Sequence, residues 1–537
     1  MKKYLFIALA ALGFAACEKT AEDNNVQQNG ELEKSYISIT LASSDMGTRA
    51  EGELDKEFED GDPAESAVNK AYVFFFRDGV AFPVSYSDNT TIEDPANGKN
   101  YLPLTLQMNH ETDGTNNVSD YSNEILVIEN YRGEYPNQVI AVLNWQPTAT
   151  NYDIADLQKE LLAIKNVDGF VMCNSVYADE STPKKTIIAT PITEANIGTE
   201  NDLANLEAVQ IYVERLAAKV TYSAANGGKF DIEKTVLDRE TNTEIKVYAQ
   251  IKGYELFDAY YDSWLVKQID PQWSNEVLGF TWNDSPLYRS YWANSNRTDS
   301  FPASNSFNWN NNPAEAYCGE NTRPGANDRT KVIIKAQLVQ ADGTTPVEVV
   351  NWLGKDYVGE DYLKIVVANT LNQKYFSSTD QKVYKGITPD DLKCVARDSS
   401  SEKAYYVYFQ LKDDTAGYGI NKTWYVKSAD GKYTAVNMND ELKNVHPALV
   451  YKSGMTYYYT DIRHLANDVA KTGAYGVVRN HVYKVNITDI TGFGTPVYDP
   501  TQDFVEVETP EEIFTYVSAQ INILSWRVVD RNYQVGQ

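Results

Sequence analysis

Short apolar runs of strand length recur from one end of this 537-residue chain to the other. They constrain its fold more than any other feature. Tyr36-Ile37-Ser38-Ile39-Thr40-Leu41 alternates with period two, which puts Ile37, Ile39 and Leu41 on one face of a strand. Ala71 to Phe76 and Gln138 to Leu143 are nearly continuous apolar runs and suit strands covered on both faces. Thr186 to Ala189, Val209 to Tyr222, Ile245 to Ile251, Lys331 to Val339 and Tyr405 to Leu411 continue the series. Tyrosine is abundant, with 38 residues, and it favours pleated, half-buried surfaces. One segment reads as a helix: Asp153 can cap it, and Ile154, Leu157, Leu161, Leu162 and Ile164 follow near-helical spacing. A second short helix is expected from about Asp461 to Lys471. The fold class is therefore mainly β, with consecutive sandwich domains and short crossover helices. A weak internal echo suggests two of them, with a boundary near residue 205. Residues 255–327, dense in Trp, Tyr, Asn and Ser, read as a long ordered excursion rather than as regular strands.

The first residues form an address. Lys2 and Lys3 precede an apolar run from Tyr4 to Ala16, which is too short to span about 30 Å of hydrocarbon comfortably and reads as a signal-peptide core. It ends Phe14-Ala15-Ala16-Cys17, which resembles a bacterial lipobox with Phe14 where Leu is usual. Cys17 is then the lipidated residue, and membrane contact is expected only through that lipid on the precursor. Glu18 to Glu31 is polar and suits a flexible tether.

With 75 acidic against 48 basic residues, the formal net charge is −27, which argues against nucleic acid as a direct partner. Cys173, Cys318 and Cys394 are far apart and form no CxxC or disulfide pattern. His110, His446, His464 and His481 are scattered and read as structural. Asp60-Gly61-Asp62 lacks the further spaced oxygen ligands of a Ca²⁺ loop. There is no Walker loop, no complete GxGxxG and no HExxH, and no carboxylate pair stands out. No catalytic residue, metal or cofactor is expected, and the chain reads as no enzyme.

Several ordered patterns resemble the fimbrillins of type V pili of Bacteroidia, with minor-fimbrium shaft subunits the nearest match. They are Phe170-Val171-Met172-Cys173-Asn174-Ser175, Val213 to Val220 (VERLAAKV), Tyr317 to Thr322 (YCGENT), Val478 to Ile487 (VRNHVYKVNI), Ile490 to Gly494, and Ala519 to Trp526 (AQINILSW). The resemblance implies two transthyretin-like β-sandwich domains. It also implies export as a lipoprotein precursor, palmitate included, to the outer membrane. A trypsin-like, Arg-specific protease would then remove the first strand, and polymerisation by donor-strand exchange would follow at the cell surface. Partners would be further copies in a fimbrial shaft, together with anchor and tip subunits, and the output would be adhesion. On this basis the chain divides into a signal peptide (1–17), a tether with cleavable first strand (18–49), an N-terminal domain (50–205), a C-terminal domain (206–512) and a donor strand (513–537).

The chain carries candidate parts for that scheme. Arg49, its first arginine, lies among small and polar residues after the first strand, so cleavage would leave Ala50 as the mature N-terminus. The strand removed would carry Ile37, Ile39 and Leu41. Val517, Ala519, Ile521 and Ile523 alternate on one face of the candidate donor, and Leu524, Trp526 and Val528 continue on the other, which suggests a bulge near Leu524. The preceding segment from Thr495 to Glu512, with three prolines and six carboxylates, reads as an extended linker that does not fold back. The C-terminal strand also suits the last strand of its own sandwich. Asp414-Thr415-Ala416 fits a short O-glycosylation pattern of that phylum. Two other readings remain open: a monomeric surface lipoprotein that binds glycans through aromatics such as Trp282 or Trp292, and a tip or anchor component of a fimbrium.

Overall fold

The computed structural model describes residues 33–43, 62–84, 99–104, 108–113, 116–121, 124–130, 135–179, 184–198, 206–271, 279–281, 287–301, 313, 315–396, 406–413, 417–464, 472–499, 516–524 and 528–529. Cys17, Arg49, Ala50, Trp282, Thr415 and Trp526 lie outside these residues.

The protein is mainly β. In the first half one broad sheet runs Ala71–Arg77, Gln138–Leu143, Met172–Asn174, Val209–Arg215, Glu33–Ser43 and then Asn116–Tyr121. The two continuous apolar runs pair antiparallel at its centre, with Val73 opposite Ala141 and Phe75 opposite Val139. Phe74, Phe75 and Phe76 are all fully buried, so both faces of that strand are covered. This is what an uninterrupted apolar run requires.

The second half is a two-layer sandwich. One sheet runs Glu315–Cys318, Ala218–Ala224, Val482–Thr491, Tyr516–Leu524 and Val528–Val529. The other contains Lys229–Asp238, Thr243–Phe257, Lys331–Val339 and Met455–Asp461. Val220, Tyr483 and Val485 from the first layer share a core with Val247, Val332 and Ile334 from the second.

Several features depart from the sequence expectations. Val209 to Tyr222 is two strands rather than one: Val209–Arg215 belongs to the first sheet and Ala218–Ala224 to the second half. The break falls at Leu216 and Ala217, both fully buried. There the Leu216 amide donates to Val171 O at 2.9 Å, while Ala217 O accepts from the Asn480 amide at 2.7 Å. The first sheet thus extends about ten residues past the expected boundary at 205, and the chain passes from one core to the other within two residues.

The helix after Asp153 lasts a single turn, Ile154–Leu157. Leu161–Ala163 is instead a strand against Asp262–Trp264, so tertiary pairing overrides the helical spacing. Asp461, expected to open a helix to about Lys471, ends the strand Met455–Asp461, and 465–471 lie outside the described residues. The aromatic excursion also holds short strands, and it spans the two halves. Leu287–Ser290 pairs with Tyr177–Asp179, and Leu265 and Val266 are buried in the first core.

A further departure is an inserted module at 359–447, between strands Lys355–Val358 and Ala448–Val450 of the second half. In its core Leu363 and Val367 of the helix Glu360–Leu371 pack with Leu392, Val407 and Phe409, together with Val350, Tyr357 and Val450 of the flanking strands. The sequence hid this helix because its middle, Ile365-Val366-Val367, is β-branched and apolar all round. Truncating Leu363 to Ala should cost about 2–5 kcal/mol, the usual range for a fully buried leucine. Hydrogen exchange should then accelerate across 360–450 while 71–77 and 138–143 keep their protection.

Candidate assembly site

The first strand, Glu33–Ser43, lies inside the first sheet. On one side it runs antiparallel to Glu124–Asn130, from Glu33 opposite Asn130 to Ile39 opposite Glu124. On the other it meets Ile197–Gly198 antiparallel and then Val209–Val213 in parallel. The parallel register sets Ile39 level with Val209 and Leu41 level with Ile211, and Ile37 lies level with Leu126. Val209, Ile211 and Val213 are buried in the first core. The three apolar positions of the first strand therefore alternate in register with an apolar stripe. Loss of this strand would leave the strands on both sides with unpaired backbone groups, a slot about 36 Å long for eleven residues.

The C-terminal strand, Tyr516–Leu524, pairs antiparallel with Val482–Thr491 of the same chain. Val517, Ala519, Ile521 and Ile523 stand opposite Ile490, Ile487, Val485 and Tyr483, all four fully buried. In the isolated chain this segment is thus the last strand of its own sandwich. The linker expected to run clear of the domain does return: Thr495–Pro496 pairs with Thr456 and Tyr457, and Val497 is buried. A bulge is present, but on the partner strand between Ile487 and Asp489. At Leu524 the chain reverses, because Leu524 pairs with Val528 and Ile523 with Val529. A hairpin therefore replaces the in-line continuation expected of Leu524, Trp526 and Val528. Val482–Thr491 keeps Ala218–Ala224 on its other side, so the hairpin is an outer addition.

Four of the patterns singled out in the sequence meet between the halves. The Arg479 guanidinium, fully buried, donates to Glu320 Oε2 at 2.6 Å and to Leu265 O at 3.0 Å. Lys267 Nζ lies 3.6 Å from Glu214 Oε1, with neither side chain exposed. Arg215 Nε donates to Glu65 O at 2.7 Å and its Nη2 to Ser66 Oγ at 2.6 Å. Lys219 Nζ bridges Glu65 at 2.6 Å and Glu315 at 2.7 Å, and the Tyr317 hydroxyl donates to Glu65. Burial is the largest effect on Lys219 and opposes its charge, but the bonds to Glu315 and Glu65 outweigh it and leave its pKa raised. The Lys219 bond likewise holds Glu315 below the ordinary carboxylate value.

The two cysteines at the junction are not poised as nucleophiles. Burial pushes the Cys173 and Cys318 thiols up to about 12, so they stay protonated. The buried histidines are structural: His464 bonds Tyr291 O and the Tyr483 hydroxyl, each at 2.9 Å, and His481 Nδ1 bonds Arg479 O at 2.7 Å. Trp292, a sugar platform in the glycan-binding alternative, is only 4% exposed and packs against His464. Sequence reasoning noticed these patterns one by one but not their convergence, because charge partners separated by 159 residues leave no spacing signal.

Residues 449–532, which hold Arg479, the strand Val482–Thr491 and the C-terminal strand, match the family described as "Major fimbrial subunit protein type IV, Fimbrillin, C-terminal". The C-terminal part of the chain is fimbrillin-like. Among solved structures, a fimbrilin from Porphyromonas gingivalis W83 aligns at 12% identity and TM-score 0.34, over 90% of this chain and 96% of that one. The tip fimbrial protein Mfa3 from Porphyromonas gingivalis aligns at 10% identity and TM-score 0.30, over 91% and 99%. A fimbrial assembly protein from Parabacteroides distasonis ATCC 8503 aligns at 12% identity and TM-score 0.28, over 75% and 100%. Structural likenesses this low carry no functional conclusion. No curated protein matches in sequence.

Replacing Arg479 by Ala should destabilise the protein by about 3–5 kcal/mol, because it leaves the Glu320 carboxylate buried without its partner. The double variant Arg479→Met/Glu320→Leu should recover most of that loss. Urea unfolding followed by tryptophan fluorescence tests both; a single variant within about 1 kcal/mol of the parent would contradict the role given to the pair.

Proposed function

We propose that the chain is a structural subunit of a cell-surface fimbrium. It would be exported as a lipoprotein precursor lipidated at Cys17, held at the outer membrane, cleaved after Arg49 and polymerised by donor-strand exchange in support of adhesion. The observation that carries this reading is the seat of the first strand. A removable strand is paired on both sides inside a sheet, and its apolar alternation is repeated by the C-terminal strand.

The physics of exchange stems from that seat. Cleavage after Arg49 cuts the link between Glu33–Ser43 and the rest of the sheet, so the strand can leave. The slot then offers unpaired N–H and C=O groups and the stripe of Val209, Ile211 and Val213. A neighbour's Tyr516–Leu524 supplies both a backbone ladder and a matching stripe, which is β-strand addition. Each Val or Ile buried gains about 1.5–3 kcal/mol before the ordering cost is subtracted. The donor gives up only an outer pairing in its own sandwich, and proteolysis removes the competing strand for good. The fimbrillin match over 449–532 supports the shaft reading. The intrachain pairing of the C-terminal strand favours a second reading, a terminal subunit that keeps this strand for itself.

Changing Arg49 to Ala should leave a folded precursor that does not polymerise, read by electron microscopy after exposure to trypsin. Deleting Val517–Gln537 should block elongation and preserve the thermal transition of the second half. Normal fibres from the Arg49 variant would refute the cleavage step. Normal fibres from the truncated chain would refute the donor assignment.

A further inference from the structure

The hydrogen bonds that make the two buried histidines structural also fix their charge. His464, 2% exposed, follows the strand Met455–Asp461, and His481, 1% exposed, precedes Val482–Thr491. Their ring centres lie 5.2 Å apart. A backbone carbonyl can only accept, so the bond to Tyr291 O requires that His464 Nε2 carries the proton. Its Nδ1 is then the acceptor for the Tyr483 hydroxyl at 2.9 Å. The Tyr483 oxygen itself accepts from the Val478 amide at 2.8 Å. Burial pushes the Tyr483 hydroxyl well above its ordinary pKa, so it keeps its proton and donates it. All three bonds of this relay are made only while His464 is neutral. By the same rule His481 Nδ1 donates to Arg479 O at 2.7 Å.

A proton added to His464 Nδ1 would meet the Tyr483 O–H, donor against donor, at a buried site. A charge on His481 would then stand one ring away from it. Negative charge is not in surplus to receive either. Among the described residues the ionised groups on the surrounding elements are Arg215, Lys219, Lys267 and Arg479, matched in number by Glu65, Glu214, Glu315 and Glu320. On the segment of His464 itself, Asp461 pairs with Arg329, and Arg463 lies over the Tyr475 ring. The turn that ends in His481 is also the hub of the junction. Arg479 reaches Glu320, the Asn480 amide bonds Ala217 O, Asn480 Oδ1 accepts from the Arg215 amide, and His481 O accepts from the Lys219 amide. We infer that His464 and His481 make the coupling of the two halves sensitive to pH, closed at neutral pH and released in mild acid. The open form frees both imidazoles to take up protons near their ordinary value of about 6.5, whereas the closed form binds them only by breaking the relay. The form that binds more protons gains as pH falls. The closed form is therefore lost from about pH 6.5 downward, by up to about tenfold per histidine for each pH unit.

The inference goes beyond the assembly reading and is tested on the full, uncleaved chain, so its failure says nothing about polymerisation. Hydrogen exchange, corrected for the intrinsic effect of pH, is compared at about pH 7 and about pH 5.5, a window above the ordinary carboxylate range. Opening at the Lys219, Val477 and Asn480 amides should rise by about tenfold or more on acidification, while 71–77 and 138–143 keep their protection. Nitrogen NMR of chain labelled at histidine should show His464 in its neutral, Nε2-protonated form for as long as the junction is closed. The double variant His464→Gln/His481→Asn keeps a side-chain N–H for Tyr291 O and for Arg479 O but does not titrate in this window, so it should abolish the rise. Unchanged junction exchange in the parent, a rise that the double variant retains, a rise shared equally by 71–77, or a charged His464 in the closed chain would each overturn the inference. Should the double variant fail to fold, the exchange and NMR of the parent chain decide it alone.

Discussion

The Arg479–Glu320 ion pair is the contact on which the arrangement of the two halves depends. Taking a guanidinium and a carboxylate out of water costs several kcal/mol for each, and only close pairing recovers it. The cost can be met in one geometry alone, with Arg479 reaching Glu320 and the carbonyl of Leu265 together. Glu214, Arg215, Lys267 and Asn480 surround the pair, so the charged network specifies orientation where an apolar interface would tolerate sliding. The strand Val209–Arg215 ends in this network. The wall of the proposed slot is therefore held from behind by Glu65, Ser66 and Asn480, independently of whichever strand fills its front. A sheet that loses an internal strand would otherwise be expected to collapse or re-pair.

The two halves are built on a shared plan. In each, the opening strand runs parallel to a strand from late in the same half: Glu33–Ser43 beside Val209–Arg215, and Ala218–Ala224 beside Val482–Thr491. They differ in how the opening strand is attached. In the second half it follows directly from the buried Leu216-Ala217 step and cannot leave. In the first half it is joined to the rest of its sheet only through the segment that carries Arg49. On the proposed scheme, a cut at Arg49 would free the first opening strand, whereas the second is held by the chain at both ends.

How much of this was legible in the sequence depends on the range of the interaction. Strand runs such as Ala71–Phe76 were readable because burial on both faces writes a continuous apolar run locally. The alternation of Ile37, Ile39 and Leu41, and of Val517 to Ile523, was readable because a strand with one apolar face writes a period-two pattern that is equally local. The single-turn helix after Asp153 was misread because Leu161–Ala163 is claimed by a strand about a hundred residues away. The module at 359–447 was invisible because its helix is rich in β-branched residues. The junction was seen only as separate patterns, since nothing local to Arg479 names Glu320 as its partner. The hairpin at Leu524 was missed because an apolar pattern that changes face fits a bulge as well as a reversal.

The most direct test of strand exchange is a cross-link between copies. A photoreactive residue at position 210, the exposed point of the slot's wall, would be introduced into chains labelled with ¹⁵N and assembled with unlabelled chains after cleavage. Mass spectrometry of the fibres should find 210 joined to a peptide from 516–524 of the other isotope. Cross-links to 33–43, or to 516–524 of the same isotope only, would mean that the first strand stays or that the C-terminal strand fills the slot of its own chain. Either would contradict strand exchange as the basis of assembly.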